Sequence, residues 1–323
     1  MKVLIIGGAG YIGSVTTRLF LSHKAKVTVL DNLLFGGESI VDLLNNPNFN
    51  FIHANIKNKA ICKSAIKDMD AVINLAAIVG EPLCAKYPKL AYKTNYQAAC
   101  MIGDLAKKNA VKKYIFASTC SNYGINTNPG GATEETKTNP LSLYAETKIN
   151  AEEYIVKLSS DSFSPVVVRF ATIFGLSPRM RFDLLVSEFV KEAYLSGKIT
   201  VYAPEVFRPL IHVADAAMAL FEIAKTTKEI KGQIFNAGFK NYKKIDIAKK
   251  IIAMMPSVKI DIQGEIKDKR DYNVSFEKIR KILGFQAQYS LEKGISETLQ
   301  ALKWGLFQNP NDIRYKNTMT VQE

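Results

Sequence analysis

The chain has little of what binds metals or cross-links a fold. Among its 323 residues are four cysteines, Cys62, Cys84, Cys100 and Cys120, and three histidines. The cysteines lack both the paired spacing of a zinc site and the density of a disulfide framework. Reduced thiols and a cytoplasmic setting are therefore the default expectation, with no metal. No stretch reaches a membrane-spanning length free of charge, so no membrane partner is expected. The apolar start lacks the basic n-region and long h-region of a signal peptide, and a first strand accounts for it. Repeats and low-complexity tracts are absent. Acidic residues are the minority, 30 against 43 Lys and Arg, for a formal net charge of +13. The lysines are dispersed, as in Lys107-Lys108, Lys112-Lys113 and Lys249-Lys250, and form no block interleaved with aromatics. A solvated lysine-rich surface explains the excess first, a phosphate-bearing ligand second and nucleic acid a distant third.

What is present begins at once. Lys2-Val3-Leu4-Ile5-Ile6 is a short apolar run, followed by Gly7-Gly8-Ala9-Gly10-Tyr11-Ile12-Gly13 and a helix-like stretch, Ser14 to Ser22. A buried parallel strand reads as a continuous apolar run, so this is strand, glycine turn, helix. Gly8, Gly10 and Gly13 fit G-x-G-x-x-G, and Gly7, Gly10 and Gly13 fit the G-x-x-G-x-x-G variant. Such glycines allow a tight turn and close backbone approach to a pyrophosphate, which then meets the free N–H groups of the helix start. Alone the run is weak. Lys26-Val27-Thr28-Val29-Leu30 supplies a second strand, and Asp31 ends it at the spacing of an acid that bonds adenosine ribose hydroxyls. A carboxylate there repels a 2′-phosphate, so NAD is favoured over NADP.

Strands and helices then alternate. Strands are expected at Asn50–Ala54, Ala71–Leu75, Lys113–Ala117 and Pro165–Phe170, with helices over Lys86–Asn109 (despite Pro88) and Ser142–Ser159. Small residues after the fourth strand, Leu75-Ala76-Ala77, either admit a cofactor or serve packing. Asn95 stands mid-helix, facing solvent or something buried. From Gly175 the segments shorten: helices near Leu184–Ser196, Ala214–Lys225, Lys244–Met254, Phe276–Leu283 and Leu291–Leu306, and strands near Ile199–Tyr202 and Pro209–His212. The 47% hydrophobic content suffices for a large core. The expected fold is α/β: a Rossmann-type doubly wound parallel sheet over 1–174, a smaller, discontinuous C-terminal α/β substrate-binding lobe over 175–308, and a poorly ordered polar tail over 309–323.

Tyr144-Ala145-Glu146-Thr147-Lys148 puts a phenol and an ammonium four residues apart, on one face of a helix start. A free tyrosine has a pKa of about 10 and needs help to act as a base near neutral pH. A nearby lysine cation and a positive nicotinamide ring both favour the phenolate. Ser118-Thr119 closes the fifth strand, where the Thr119 hydroxyl would orient a substrate oxygen. Tyr-x-x-x-Lys is common by chance, and an amphipathic helix with a packed Tyr and a solvated Lys is the plain alternative. After a fifth strand ending Ser-Thr in a dinucleotide fold, the catalytic reading is preferred.

Together these motifs resemble an extended short-chain dehydrogenase/reductase of the nucleotide-sugar epimerase/dehydratase group. The resemblance rests on Gly7–Gly13, Asp31-Asn32, Leu75-Ala76-Ala77, Ser118-Thr119…Tyr123-Gly124, Tyr144…Lys148, Arg169…Phe174-Gly175, Arg208–Val213 and Asp268–Tyr272. It implies NAD as the coenzyme and a nucleotide-diphosphate sugar as the substrate. It also implies a homodimer built from the helices near Lys86–Asn109 and Ser142–Ser159. Gly7, Gly10, Tyr11, Ile12, Asp31, Asn32, Asn55, Ile56, Leu75, Ala76, Ala77 and Ala117 would hold the coenzyme, and Asn95, Tyr144 and Lys148 would lie near its nicotinamide ribose. Tyr144 would be the base, assisted by Thr119 and Lys148. Thr119, Thr172, Arg179, Arg181, Tyr202, Arg208 and Arg270 would meet the substrate, the last two at its diphosphate and Tyr202 stacked on its base. Relatives that dehydrate at C4–C6 carry Asp-Glu after the catalytic Thr, where this chain has Cys120-Ser121. Thr172 stands where a sugar-binding Asn is common. The stretches Ala76–Cys84 and Phe174–Val186 are similar to a branch that includes GDP-heptose 4-dehydrogenase. The resemblance thus implies oxidation at C4, foremost a 4-epimerase, with a net 4-dehydrogenase or reductase as the alternative. An NAD-sensing regulator on the same fold is the non-enzymatic alternative, and such proteins generally lose the Tyr-x-x-x-Lys pair.

Overall fold

The structure, a computed structural model, describes residues 1–126, 128–264 and 270–317. Its first strands are β1 (Lys2–Ile6), β2 (Lys26–Asp31), β3 (Phe49–His53), β4 (Ala71–Asn74), β5 (Lys113–Thr119), β6 (Ile125–Asn126) and β7 (Ser164–Phe170). There follow β8 (Thr172–Phe174), β9 (Lys198–Tyr202), β10 (Phe207–His212), β11 (Ile234–Ala237), β12 (Lys240–Lys243), β13 (Lys259–Gln263) and β14 (Asp271–Tyr272). Seven of these form one parallel sheet in the order β11-β7-β5-β4-β1-β2-β3. Ile5 sits level with Val29 on one side and Ile73 on the other. The strands read as unbroken apolar runs because both faces are covered. Val3, Ile5, Val29 and Ile73 point into one core; Leu4, Ile6, Leu30 and Val72 point into the other.

The strand order reverses between β1 and β4, which opens a crevice at the carboxyl ends of the strands, where such sheets bind ligands. The lobe over that crevice is assembled from small sheets: β12-β10-β8, β13-β9 and β14-β6. The seventh strand of the main sheet, β11, belongs to sequence expected in the lobe. The helix Val213–Lys225 also packs back on the first helix, Tyr11–Ser22, with Phe20 and Phe221 edge to face at 5.1 Å. The chain therefore crosses back into the coenzyme layer after residue 174, and the two layers interleave along the sequence.

Two local expectations need correction. The helix expected over Lys86–Asn109 is broken into Glu81–Lys86, Pro88–Ala91, a π-helical turn at Tyr92–Ala98, and Ala99–Lys108. Pro88 restricts Tyr87, which leaves helical geometry at φ −127°, ψ 63°. The tail from Asn309 is not loose through Asn317. Tyr315 makes edge contacts with Phe182 and Phe307 at 5.6 and 5.3 Å, and its carbonyl accepts the Phe182 N–H. Residues 318–323 of that tail, and Asp268, lie outside the described residues. Among the described residues no helix is long and apolar enough to cross a membrane.

Candidate active site

A single cleft of about 1260 Å³ runs from the glycine turn, along the carboxyl ends of the strands, to β9, β10 and β14. Its first half is made largely of backbone. Gly7 adopts φ +82°, and a Cβ there would stand 2.8 Å from the Ala76 nitrogen. A Cβ on Gly13 would collide with the Gly7 carbonyl and lie 2.6 Å from Gly8 Cα. Only glycine lets the first helix start this close to β1, and its leading N–H groups have no partner within the helix. Asp31 closes the end of β2. Its Oδ2 accepts the Ala9 N–H at 3.0 Å and its Oδ1 the Leu33 N–H at 2.9 Å. Burial pushes the carboxyl up, and those backbone donors pull it partly back. Asn32, Asn55, Ile56, Leu75, Ala76, Ala77 and Ala117 all reach the same wall. A dinucleotide fits this cradle, since the side chains that would fill it are missing at the required places.

Asn95 is placed differently from the expectation. It is fully buried, and its Oδ1 accepts the Ile78 N–H at 2.8 Å while its Nδ2 donates to the Ile78 carbonyl at 3.0 Å. It shapes the Ala76–Gly80 wall through backbone, one layer behind the cleft. Tyr11 does line the cleft, and its phenol donates to the Gly175 carbonyl at 2.6 Å, which fastens the lobe to the turn.

The helix that carries Tyr144 and Lys148, Leu143–Lys157, is capped by Ser142, whose Oγ accepts the Ala145 N–H at 3.3 Å. Tyr144, Lys148 and Glu152 follow at i, i+4 and i+8 on its inner face. Glu152 is anchored by Arg169 from β7 (Nη2 to Oε2, 2.7 Å) and by Asn122 (Nδ2 to Oε1, 2.8 Å). Arg169 also donates to the Tyr123 hydroxyl at 2.9 Å, which donates to Asn236 of β11 at 2.8 Å. This buried network, in which the Asn122 Oδ1 alone meets no partner among the described residues, fixes the helix register over the sheet. It is also the role of Arg169, which the resemblance had flagged without a function.

Lys148 is buried, and its Nζ donates to the Ala117 carbonyl at 2.9 Å, 6.0 Å from the centre of the Tyr144 ring. Burial pulls its ammonium down to about 8, against the raising influence of Cys84 and Glu152. Burial pushes the Tyr144 phenol well above a free phenol, with Cys84 adding to the rise. Desolvation is the largest influence on this phenol, and the nicotinamide cation expected to favour the phenolate would act with NAD bound. Thr119 ends β5. Its Oγ1 accepts the Ser121 N–H at 3.1 Å and donates to the Ser121 Oγ at 3.0 Å. Cys120 turns away, buried, with its thiol on the Arg169 carbonyl.

The second half of the cleft is made of side chains from many short elements. Thr172 comes from β8, Tyr202 from β9, Arg208 from β10, and Arg270 borders β14. Arg208 Nη1 donates to the Phe207 and Arg270 carbonyls at 2.7 and 2.6 Å, tying β10 to the Arg270 segment, and its guanidinium lies 5.7 Å from the Tyr272 ring centre. Arg270 approaches Glu81 at 3.7 Å, while Tyr202 is exposed. Arg181 is taken by a two-toothed pair with Asp183, at 2.9 and 2.7 Å. Arg179 lies over the Phe35 ring, 4.3 Å from its centre. Sequence reasoning missed Phe35, Ser121, Tyr272 and Asn317 on these walls. Ser121 and Tyr272 stood in motifs without a role of their own; Phe35 carries no local signal, and Asn317 was expected in a loose tail.

The fold and this cleft together define a nicotinamide-dinucleotide enzyme of the short-chain dehydrogenase type. The model of the NAD dependent epimerase/dehydratase family matches residues 3–238, and the chain belongs to that family. A UDP-glucose 4-epimerase of Lactobacillus helveticus is 28% identical over 277 residues, 78% of this chain and 82% of that one. A dTDP-glucose 4,6-dehydratase of Escherichia coli is 25% identical, over 93% and 92% of the two chains. Among solved structures, a UDP-glucuronic acid 4-epimerase from Bacillus cereus, in complex with UDP-glucuronic acid and NAD, superposes with a TM-score of 0.85 at 24% identity. That match covers 94% of this chain and 99% of the other. The protein is thus an enzyme of the NAD-dependent nucleotide-sugar epimerase/dehydratase type, and NAD is its coenzyme.

Proposed function

We propose that the enzyme oxidises C4 of a nucleotide-diphosphate sugar and returns the electrons to the same carbon on its other face, as a 4-epimerase. One observation carries this. Thr119, Tyr144 and Lys148 share one wall at the middle of the cleft, while the positions after Thr119 offer no acid. Cys120 faces away from the cleft and Ser121 brings only a hydroxyl, so elimination of a C6 hydroxyl lacks its proton donor there. The acids that do line the cleft, among the described residues, are Asp31, Glu81, Asp183, Glu188 and Glu192, all outside this stretch.

In this reading Asp31, Asn32, Asn55 and Ile56 hold the adenosine half of NAD, which supplies the two-electron acceptor when bound. Tyr144 takes the C4 hydroxyl proton, Thr119 orients that oxygen, and Lys148 favours the phenolate and holds the nicotinamide ribose. Arg208 and Arg270 meet the diphosphate of the sugar nucleotide, Tyr202 its base, and Thr172 the sugar. A net 4-dehydrogenase would use the same groups but accumulate NADH. A panel of UDP-, GDP-, dTDP- and CDP-sugars, screened by thermal stabilisation and followed by NADH absorbance and product NMR, tests this. One class is expected to stabilise the protein and to give its C4 epimer without net NADH. A stoichiometric rise in NADH would instead select the dehydrogenase.

We also propose a homodimer through the helices Ala99–Lys108 and Leu143–Lys157. Their neighbourhood exposes Tyr92 and Tyr154, 42% and 37% accessible. Light scattering at micromolar concentration should give twice the chain mass; a strict monomer would overturn it.

A further inference from the structure

Arg179 is a buried cation with two guanidinium nitrogens, Nε and Nη2, that meet no hydrogen-bond acceptor among the described residues. Only 6% of it is accessible, and it lines the cleft. Burial pulls its guanidinium down to about 10, and Arg181 adds to the fall. A buried charge with unmet donors is costly in a folded protein, and native structures keep one where a ligand completes it. The neighbouring Arg181 shows the contrast, since Asp183 satisfies it within the loop.

The position of Arg179 says which anion. Its loop, 175–183, is fastened to the glycine turn. Tyr11 donates to the Gly175 carbonyl at 2.6 Å, Ser177 donates to the Tyr11 carbonyl at 2.7 Å, and the Ser14 and Ser177 hydroxyls meet at 3.2 Å. The guanidinium stacks on Phe35, in the segment just after Asp31, and feels the Asp31 carboxylate. From Leu33 to Ile56 the chain has no Lys or Arg, and Lys57, directly after Ile56, is the next cation on that side of the cleft. The arginines read for the substrate diphosphate, Arg208 and Arg270, stand at the other end of the cleft with Tyr272.

We propose that Arg179 is a coenzyme-binding residue: together with the open N-terminus of the first helix, it holds the diphosphate of NAD. This moves Arg179 from the substrate side, where the sequence had suggested it, to the coenzyme side. The loop from the lobe then becomes part of the dinucleotide site, and Phe35 is the platform that keeps the planar guanidinium oriented.

The test uses the full chain and small probes. Calorimetry compares NAD, ADP, adenosine, 2′,5′-ADP and the nucleoside diphosphates UDP and GDP on wild type, Arg179→Met and Arg179→Lys. Arg179→Met is expected to weaken NAD and ADP about 10- to 100-fold, the usual worth of hydrogen bonds to a charged group. Adenosine, and whichever of UDP and GDP binds, should change less than twofold. Arg179→Lys should recover part of the ADP affinity. The ligand-free Tm of Arg179→Met should equal or exceed wild type, because the variant removes a buried charge with unmet donors. NAD and ADP affinities within twofold of wild type would overturn the proposal. So would an equal loss for adenosine, a loss confined to 2′,5′-ADP, or a loss confined to UDP or GDP. If Arg179→Met fails to fold, the same criteria apply to Arg179→Lys. None of the probes is a nucleotide sugar, so the outcome stands apart from the 4-epimerase reading.

Discussion

The two halves of the cleft are built on different principles. The coenzyme half is a backbone surface: a glycine turn, one helix start and the ends of consecutive parallel strands. The half proposed for the substrate is a side-chain surface, with Thr172, Tyr202, Arg208 and Arg270 drawn from separate short segments. The first half tolerates little change, because its shape is set by the close approach of backbone at Gly7 and Gly13. The second can be re-cut residue by residue without disturbing the sheet. Family membership therefore fixes the coenzyme, while the sugar and its nucleotide stay a property of this chain. Between the halves lies the helix of Tyr144 and Lys148, whose register is set by the buried Glu152–Arg169 network.

Substitutions should break this contrast in order of size. Tyr144→Phe touches the group that serves both halves. Turnover on the identified sugar nucleotide should fall by about 10² to 10⁴, the usual worth of a positioned general base, while NAD affinity holds. Wild-type turnover would return Tyr144 and Lys148 to plain packing. Gly13→Ala attacks the backbone half alone. The added methyl meets Gly7 and Gly8, so NAD affinity by calorimetry should drop about 10- to 100-fold, as for other overpacked sites. Nucleotide binding in the far half should persist in that variant. Arg208→Met is the mirror experiment. It should raise the KM for the sugar nucleotide about tenfold, the scale of one charge-assisted contact, and leave the NAD affinity within twofold.

The smallest effect is on stability and has a defined pH window. The Lys148 ammonium is held near 8, against about 10.5 in the unfolded chain. Above about 10.5 it is neutral in both states and costs nothing; below 8 the folded state carries the full cost of a buried cation. Lys148→Met should therefore be more stable than wild type at pH 7, by on the order of 2 kcal/mol once the lost Ala117 hydrogen bond is counted. The gain should shrink as pH rises from 8 towards 10.5. Urea unfolding of both proteins at several pH values measures it; a constant difference would contradict the burial argument.

What was legible in the sequence follows the same division. The glycine turn, the Asp31 acid and the Tyr144/Lys148 pair are each set by one local spacing, so their placement could be read directly. The strand β11 could not, because Ile234–Ala237 is four residues bounded by Gly232 and Gly238 and far from its neighbours in sequence. Nor could the difference between Arg179 and Arg181, which depends on Asp183 turning back on the second. Asn95 was visible as an odd polar residue in a helix, but only the fold shows that it grips the Ile78 backbone. The rise that burial gives the Tyr144 phenol was not legible either, because burial is a tertiary quantity.

The central claim is transient oxidation at C4 with no elimination, and one experiment addresses it. The enzyme is incubated in D2O with the nucleotide sugar found by screening, and the product is read by NMR and mass spectrometry. An equilibrium mixture of C4 epimers is expected, with protium retained at C4 and C5 and no net NADH. A 4-keto-6-deoxy product carrying solvent deuterium, or a 4-keto product with stoichiometric NADH, would contradict it.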